Sequence, residues 1–444
     1  MKKVISRRKF IQQAAMAGFA TPLLLPRFSL AAKPNSRLQH AAIGVGGQGD
    51  SDLKEIASHG KVDVIALCDI DEATLKKAAA KYPGARLYRD WREMLEKEEK
   101  NIDSVNVSTP DHTHAPASMT AIRMGKHVYC EKPLTHEVYE ARKLTLAARK
   151  KGVATQMGIQ IHSHEFYRTA VHWLREGAIG KVKEWHSWCS ATYSTADKKR
   201  PEGADAIPPT VDWDLWLGVA PERPYKADVY HPFKWRCWRD FGGGATGDFG
   251  CHIFDPVFTA LEITAPLTIT CESECVSEEV HPAWNIAHYL FPGTKLTAGD
   301  TIKATWYDGG KQPDRALFTD LPADKDLPSS GSLLIGELGS LLIPHVGDPH
   351  LYPDSKFKSY PKPAMPPLNH YHEFADAAMG KCVAGANFDF AGPLAEAVLL
   401  ANVANRFQKQ TLEWDAKRLE FTNFEEANKY LRRDYRKGWD IRGL

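Results

Sequence analysis

The chain has 444 residues, room for two or three domains of roughly 150 residues each and for a large hydrophobic core. At 43% hydrophobic, 25% charged and 10% aromatic residues, its composition excludes a disordered, collagen-like or coiled-coil protein. Lys and Arg number 57 against 55 Asp and Glu, but residues 1–31 hold six of the basic residues and no acid; without them 51 face 55, near −4, which excludes a globally basic nucleic-acid binder. Eight cysteines are too few for a disulfide framework at this length. No Cys-x-x-Cys pair or Cys/His cluster has zinc-ligand spacing, so no metal is expected.

The first element is an address. Met1-Lys2-Lys3 leads into Ser6-Arg7-Arg8-Lys9-Phe10-Ile11, and an apolar stretch over 14–25 follows, broken by Gly18, Thr21 and Pro22. It is too short and interrupted to span a bilayer, which takes about 20 apolar residues. Ser29-Leu30-Ala31 offers a small-x-Ala cleavage site with no adjacent cysteine for lipid attachment. Residues 1–31 resemble a twin-arginine signal peptide. That resemblance implies passage through the twin-arginine translocase, a periplasmic or otherwise exported mature chain without a stable membrane anchor, and export in the folded state.

From 37 to 157, strand-like runs at 40–43, 62–68, 87–88, 104–108, 127–130 and 153–156 alternate with helix-like runs of about ten residues. Strands separated by helices predict an α/β domain with a Rossmann-type, doubly wound parallel sheet. From 158 to 410 the pattern changes. Aromatic and β-branched segments at 185–188, 267–270 and 301–305 predict a second α/β domain on an open, mostly antiparallel sheet, with late helices at 369–379 and 394–408. Residues 411–444 read as a C-terminal extension.

Five motifs carry the chemistry. Gly44-x-Gly46-x-x-Gly49, with Gly47 and Gln48 between, joins the first strand to a helix. Its glycines suit a tight turn and close backbone approach to a pyrophosphate at the helix start. Asp69, twenty residues past the last glycine, would accept from the adenosine ribose. Its charge would repel a 2′-phosphate, and Ile70-Asp71 adds no Arg or Lys, so NAD is favoured over NADP. Ser108-Thr109-Pro110 closes the fourth strand at the carboxyl edge, where ligands bind in such sheets. Asp111-His112-Thr113-His114 reads as a helix-capping loop that places His114 on the dinucleotide cleft. Glu131-Lys132-Pro133 ends the fifth strand, and the pre-proline Lys132 can face an oxygen on which negative charge develops.

Gln160 and His164 open the second domain near the expected nicotinamide position. Between Trp213 and Trp238 runs an aromatic segment that reads either as a carbohydrate-facing surface or as a core cluster. In the first reading Tyr230, Trp235 and Arg236 contact substrate. The last motif is Asp248-x-x-x-His252, whose spacing puts both side chains on one helix face. An imidazole that titrates near neutrality suits removal of a hydroxyl proton.

Together, these motifs resemble the Gfo/Idh/MocA family of sugar and polyol oxidoreductases. The resemblance implies Lys132, Asp248 and His252 as a catalytic trio that also binds substrate, a carbohydrate or glycoside ligand, and a homo-oligomer. Export implies a tightly bound NAD, since the free dinucleotide is scarce outside the cytoplasm. The expected reaction is hydride transfer between NAD and a sugar or glycoside hydroxyl, such as the one at C3. One alternative is redox-neutral glycoside hydrolysis by transient oxidation, elimination, hydration and re-reduction, with Tyr230 or His231 as added proton acceptor. Another is a non-catalytic carbohydrate-binding protein.

Overall fold

The computed structural model describes residues 37–322 and 325–444, so the twin-arginine segment expected at 1–31 lies outside the described residues. Six parallel strands form the first sheet: β1 (Leu38–Ile43), β2 (Val62–Cys68), β3 (Arg86–Tyr88), β4 (Ser104–Val107), β5 (His127–Glu131) and β6 (Thr155–Gly158), in the order β3-β2-β1-β4-β5-β6. Helices cover both faces, so central strands such as β4 are buried at every position, as an enclosed parallel sheet requires. The strand order reverses between β1 and β4. The crevice beyond their carboxyl ends is where such sheets bind ligands.

The second sheet has nine strands: β7 (Val182–Trp188), β8 (Thr268–Ser273), β9 (Asn285–Pro292), β10 (Thr301–Tyr307), β11 (Gly331–Gly336), β12 (Ser340–Pro344), β13 (His350–Tyr352), β14 (Leu412–Asp415) and β15 (Glu420–Phe421). All neighbours pair antiparallel except β7 and β10. Along β9, buried residues alternate with more exposed ones, the pattern of a sheet packed on one face. The helices Gly244–Leu261 and Phe388–Ala404 pack on that face. The second of these begins earlier than the sequence pattern suggests: Asn387 caps it, accepting from the Asp389 and Phe390 amides, and Pro393 sits inside it without ending it.

Residues 411–444 do more than extend the chain. Their two strands complete the sheet edge, and the rest returns to the first domain. There Tyr435 donates to Glu140 at 2.6 Å, and the Arg92 guanidinium stacks 3.7 Å over the Trp439 ring. Among the described residues no helix is long and apolar enough to cross a membrane.

Candidate active site

A cleft of about 590 Å³ opens at the carboxyl ends of β1, β2, β4 and β5. Its floor is the glycine turn. Gly44 has φ +80°, and a Cβ there would lie 2.5 Å from the Ser108 carbonyl oxygen; one on Gly49 would lie 2.1 Å from the Gly44 carbonyl oxygen. Only hydrogen fits at either place. Gly47 caps the Gln48–Ala57 helix without any side-chain acceptor, so the helix start remains available to an anionic group. These features fit a dinucleotide pyrophosphate.

Asp69 ends β2 in the wall of the cleft. The Val45 and Asp71 amides each donate to one of its oxygens at 3.0 Å, and burial raises its pKa. The sequence reading finds no cation near Asp69, but the structure brings Arg89, just beyond β3, into the same wall. Arg89 Nη2 donates to the carbonyls of Ile70 and Thr210, at 2.9 and 3.0 Å.

Gln48, Ser108, Thr109, Pro110, Glu131 and Lys132 also line the cleft. Beneath them lies a buried polar network. Ser108 donates to Asp52 at 2.7 Å, and Gln160 donates to Glu131 at 2.7 Å and to the Tyr129 hydroxyl at 3.1 Å. Burial and the charge of Asp52 push the Glu131 carboxyl well above the usual range.

Three expected contacts stand elsewhere. His114 is fully buried, with Nδ1 2.7 Å from the Pro133 carbonyl and Nε2 2.8 Å from that of Thr109, so it ties two loops together behind the cleft wall. His164 is exposed at the N-terminus of the Glu165–Arg175 helix, where its ring accepts from the Phe166 amide. Tyr230 is 1% exposed inside a cluster with Trp213, Trp216, Trp238 and Phe241. Trp213 and Trp216 stack face to face at 4.6 Å, so most of this aromatic segment is core. Trp216, His231, Phe233, Trp235 and Arg236 reach the cleft.

The remaining motif residues meet at Lys132 and Arg236, which line the cleft; Asp248 and His252 are not among its lining residues. Lys132 Nζ donates to Asp248 Oδ1 at 2.5 Å, and Arg236 Nε lies 3.5 Å from the same oxygen. Against the upward pull of burial, Lys132 and Arg236 bring Asp248 down to about 2. Burial would lower Lys132, but the charges of Asp248 and Glu131 outweigh it and raise its pKa. Arg236 stacks on the rings of Trp235 and Phe233, at 4.2 and 4.5 Å.

His252, one helical turn past Asp248, responds the opposite way. Burial and the Lys132 charge push it well below 6.5, and its Nδ1 is buried without a partner. It stands as a neutral imidazole beside a fixed cation.

Sequence reasoning missed three neighbours. His345, just past β12, has its ring 5.7 Å from that of His252 and bonds the Tyr167 hydroxyl through Nδ1 at 2.9 Å. Tyr193 lies close enough to Asp248 that burial and this charge raise its phenol. Asp111 lines the cleft, takes the Gly243 amide at 2.8 Å, and is pushed up to about 7 by burial and by Asp248. Of these, Asp111 carried a sequence signal, as the residue after Ser108-Thr109-Pro110. Among the described residues no group of three or more His, Cys, Asp or Glu is placed to hold a metal ion.

Residues 38–159 match the model of an oxidoreductase family, GFO_IDH_MocA, described as an NAD-binding Rossmann fold; residues 186–310 match that family's C-terminal alpha/beta domain. Over 180 residues the chain is 26% identical to the levoglucosan dehydrogenase of Pseudarthrobacter phenanthrenivorans, covering 40% of this chain and 37% of that protein. Over 138 residues it is 37% identical to a glycosyl hydrolase family 109 protein of Stenotrophomonas maltophilia, covering 29% of each. The chain therefore spans 37% and 29% of the length of these two curated relatives. The WlbA dehydrogenase of Bordetella pertussis, solved in complex with NADH and UDP-GlcNAcA, shares the fold at a TM-score of 0.60 and 16% identity, over 85% of this chain and 99% of that one.

Proposed function

Because the chain belongs to the Gfo/Idh/MocA family of NAD-binding oxidoreductases, we propose that it is an exported dehydrogenase acting on a ring hydroxyl of a sugar or glycoside. The observation that carries this reading is the charge arrangement at Lys132: a cleft-lining cation held by Asp248 next to a neutral His252. NAD, which the Gly44–Gly49 turn and Asp69 would hold, would supply a hydride acceptor for the carbinol hydrogen, so the hydroxyl proton must pass to the protein. His252 accepts that proton from the hydroxyl oxygen. Lys132, kept charged by Asp248, opposes the negative charge that grows on the same oxygen. The exposed Phe233 ring offers an apolar face to a pyranose, and Arg236, backed by the buried Trp235, offers N–H donors to its hydroxyls.

NAD rather than NADP is favoured by the carboxylates of Asp69 and Asp71 at the ribose end, against which Arg89, with Nη2 on two carbonyls and Nε without a partner, is the one opposing cation among the described residues lining that end. Folded export with the dinucleotide retained, and self-association through the open face of the second sheet, complete the reading.

A second reading, NAD-dependent glycoside cleavage without net oxidation, is favoured by the 37% identity to a glycosyl hydrolase family 109 protein. It needs a further proton acceptor. Tyr230 is enclosed in the aromatic core, which leaves Tyr193, His345 and Asp111 around the trio, with His231 in the cleft wall. Incubating the purified holoprotein with aryl glycosides and no added NAD separates the readings. Reduced nicotinamide without aglycone release is the outcome for the dehydrogenase, and catalytic aglycone release the outcome for cleavage. Sugar binding with neither would overturn both in favour of a binding protein.

A further inference from the structure

A second cavity, of about 340 Å³, lies outside the nucleotide cleft and is walled by the backbone of Gly242 and Gly243, which leads into the helix bearing Asp248 and His252. Arg239 lines it and is 5% exposed. Its guanidinium donates to the carbonyls of Val280 and Asn402 at 3.2 and 3.4 Å and to the Asn405 side chain at 3.0 Å, all neutral acceptors. Among the described residues it pairs with no carboxylate, and burial together with the neighbouring Arg406 lowers its pKa to about 9.

The acids around the cavity are mostly committed. Glu137 pairs with Arg433, Asp240 with Arg223, and Glu278 with Arg406 and the Tyr430 hydroxyl; Asp434 alone among them has no such partner. At the rim, Lys429 is exposed and leans over the Tyr430 ring, while Arg432 stacks on Tyr139. Glu278, already paired with Arg406, acts on Arg239 only through space, and a buried cation whose direct acceptors are all neutral is costly unless a counter-charge completes its shell.

We propose that this cavity is an anion site for a small molecule carrying carboxylate or phosphate groups, held by Arg239 at its base and Lys429 and Arg432 at its rim. Its occupant would lie against the backbone turn that starts the catalytic helix, on a surface separate from the one that holds dinucleotide and sugar.

The test is calorimetric titration of the full chain, saturated with NAD and at constant ionic strength, with citrate in one arm and inorganic phosphate in the other. The expected result is saturable binding in at least one arm, weakened about 10-fold or more by Lys429→Ala and by Arg239→Met. The arm that binds more tightly identifies the acid group. Lys429 is exposed, so its variant keeps the test decisive even if Arg239→Met does not fold. Absence of binding in both arms, or binding untouched by Lys429→Ala, would overturn the proposal. Neither residue lines the nucleotide cleft, so the result stands whether or not the dehydrogenase reading does.

Discussion

Lys132 and His252 meet the same burial with opposite results, because one has a carboxylate 2.5 Å away and the other has a cation for a neighbour. A proton acceptor works only when unprotonated, so activity falls as pH drops through its pKa. With that pKa depressed, the fall should come below the ordinary 6.5 of a histidine. Lys132→Met removes one of the charges that depress it, and should move the acidic limb of kcat/KM to higher pH while lowering its height. A limb that stays in place would show that Lys132 does not act on the imidazole. His252→Ala should lower turnover by about 10²–10⁴-fold with NAD affinity unchanged, measured by steady-state kinetics beside cofactor titration. The proximity of Lys132, Asp248 and His252 was legible in the sequence because each residue sits in a short local motif. His345, Tyr193 and Arg89 were not: they arrive from loops with no pattern of their own and become neighbours only through tertiary packing. Tyr230 shows the reverse error, since an aromatic residue reads the same in sequence whether it lines a cleft or fills a core.

The turn between β1 and its helix is defined by steric exclusion, which sequence spacing reports well. A methyl group on Gly49 would press 2.1 Å from the Gly44 carbonyl and force the helix start away from the strand. Gly49→Ala should therefore weaken NAD binding by about 10-fold or more, equivalent to at least about 1.4 kcal/mol. Gly60→Ala, where a Cβ meets open space, should leave it unchanged. Equal affinities of the two variants in a fluorescence titration would separate the turn from cofactor binding. At the other end of the chain, β14 and β15 escaped the sequence reading because they are four and two residues long. Leu412 and Trp414 do alternate as buried positions with Glu413 exposed, but over so few residues that signal does not stand out from a loop.

The two domains are held together by reciprocal contacts as well as by a shared cleft. Arg142 of the first domain pairs with Glu396 at 2.7 Å, Tyr371 of the second donates to Asp52 at 3.1 Å, and the C-terminal residues return over the first domain. Arg436 bonds the carbonyls of Asp214 and Gly218, both at 2.9 Å, and so fastens the segment that brings Trp216 to the cleft. Trp439, 5% exposed beside Trp91 and under Arg92, anchors that return. Trp439→Ala should cost about 3 kcal/mol in denaturant unfolding, as for other buried aromatic truncations. A loss below about 1 kcal/mol, the scale of an ordinary surface substitution, would mean the return is loosely attached. The alternation of strand and helix made the first domain readable from sequence, whereas this clasp depends on contacts between residues some 300 positions apart, such as Arg433 with Glu137.

In the proposed reaction a carbinol carbon would meet a nicotinamide with His252 at its oxygen, and isotope transfer reads that event directly. Holoprotein would be incubated with sugars and aryl glycosides deuterated at their ring carbons, and the dinucleotide analysed by mass spectrometry. Deuterium should appear in the nicotinamide ring with the wild-type chain and fall sharply with His252→Ala. No label in a dinucleotide that is demonstrably bound, or label undiminished in the variant, would contradict the assignment of this cleft as a carbohydrate dehydrogenase site.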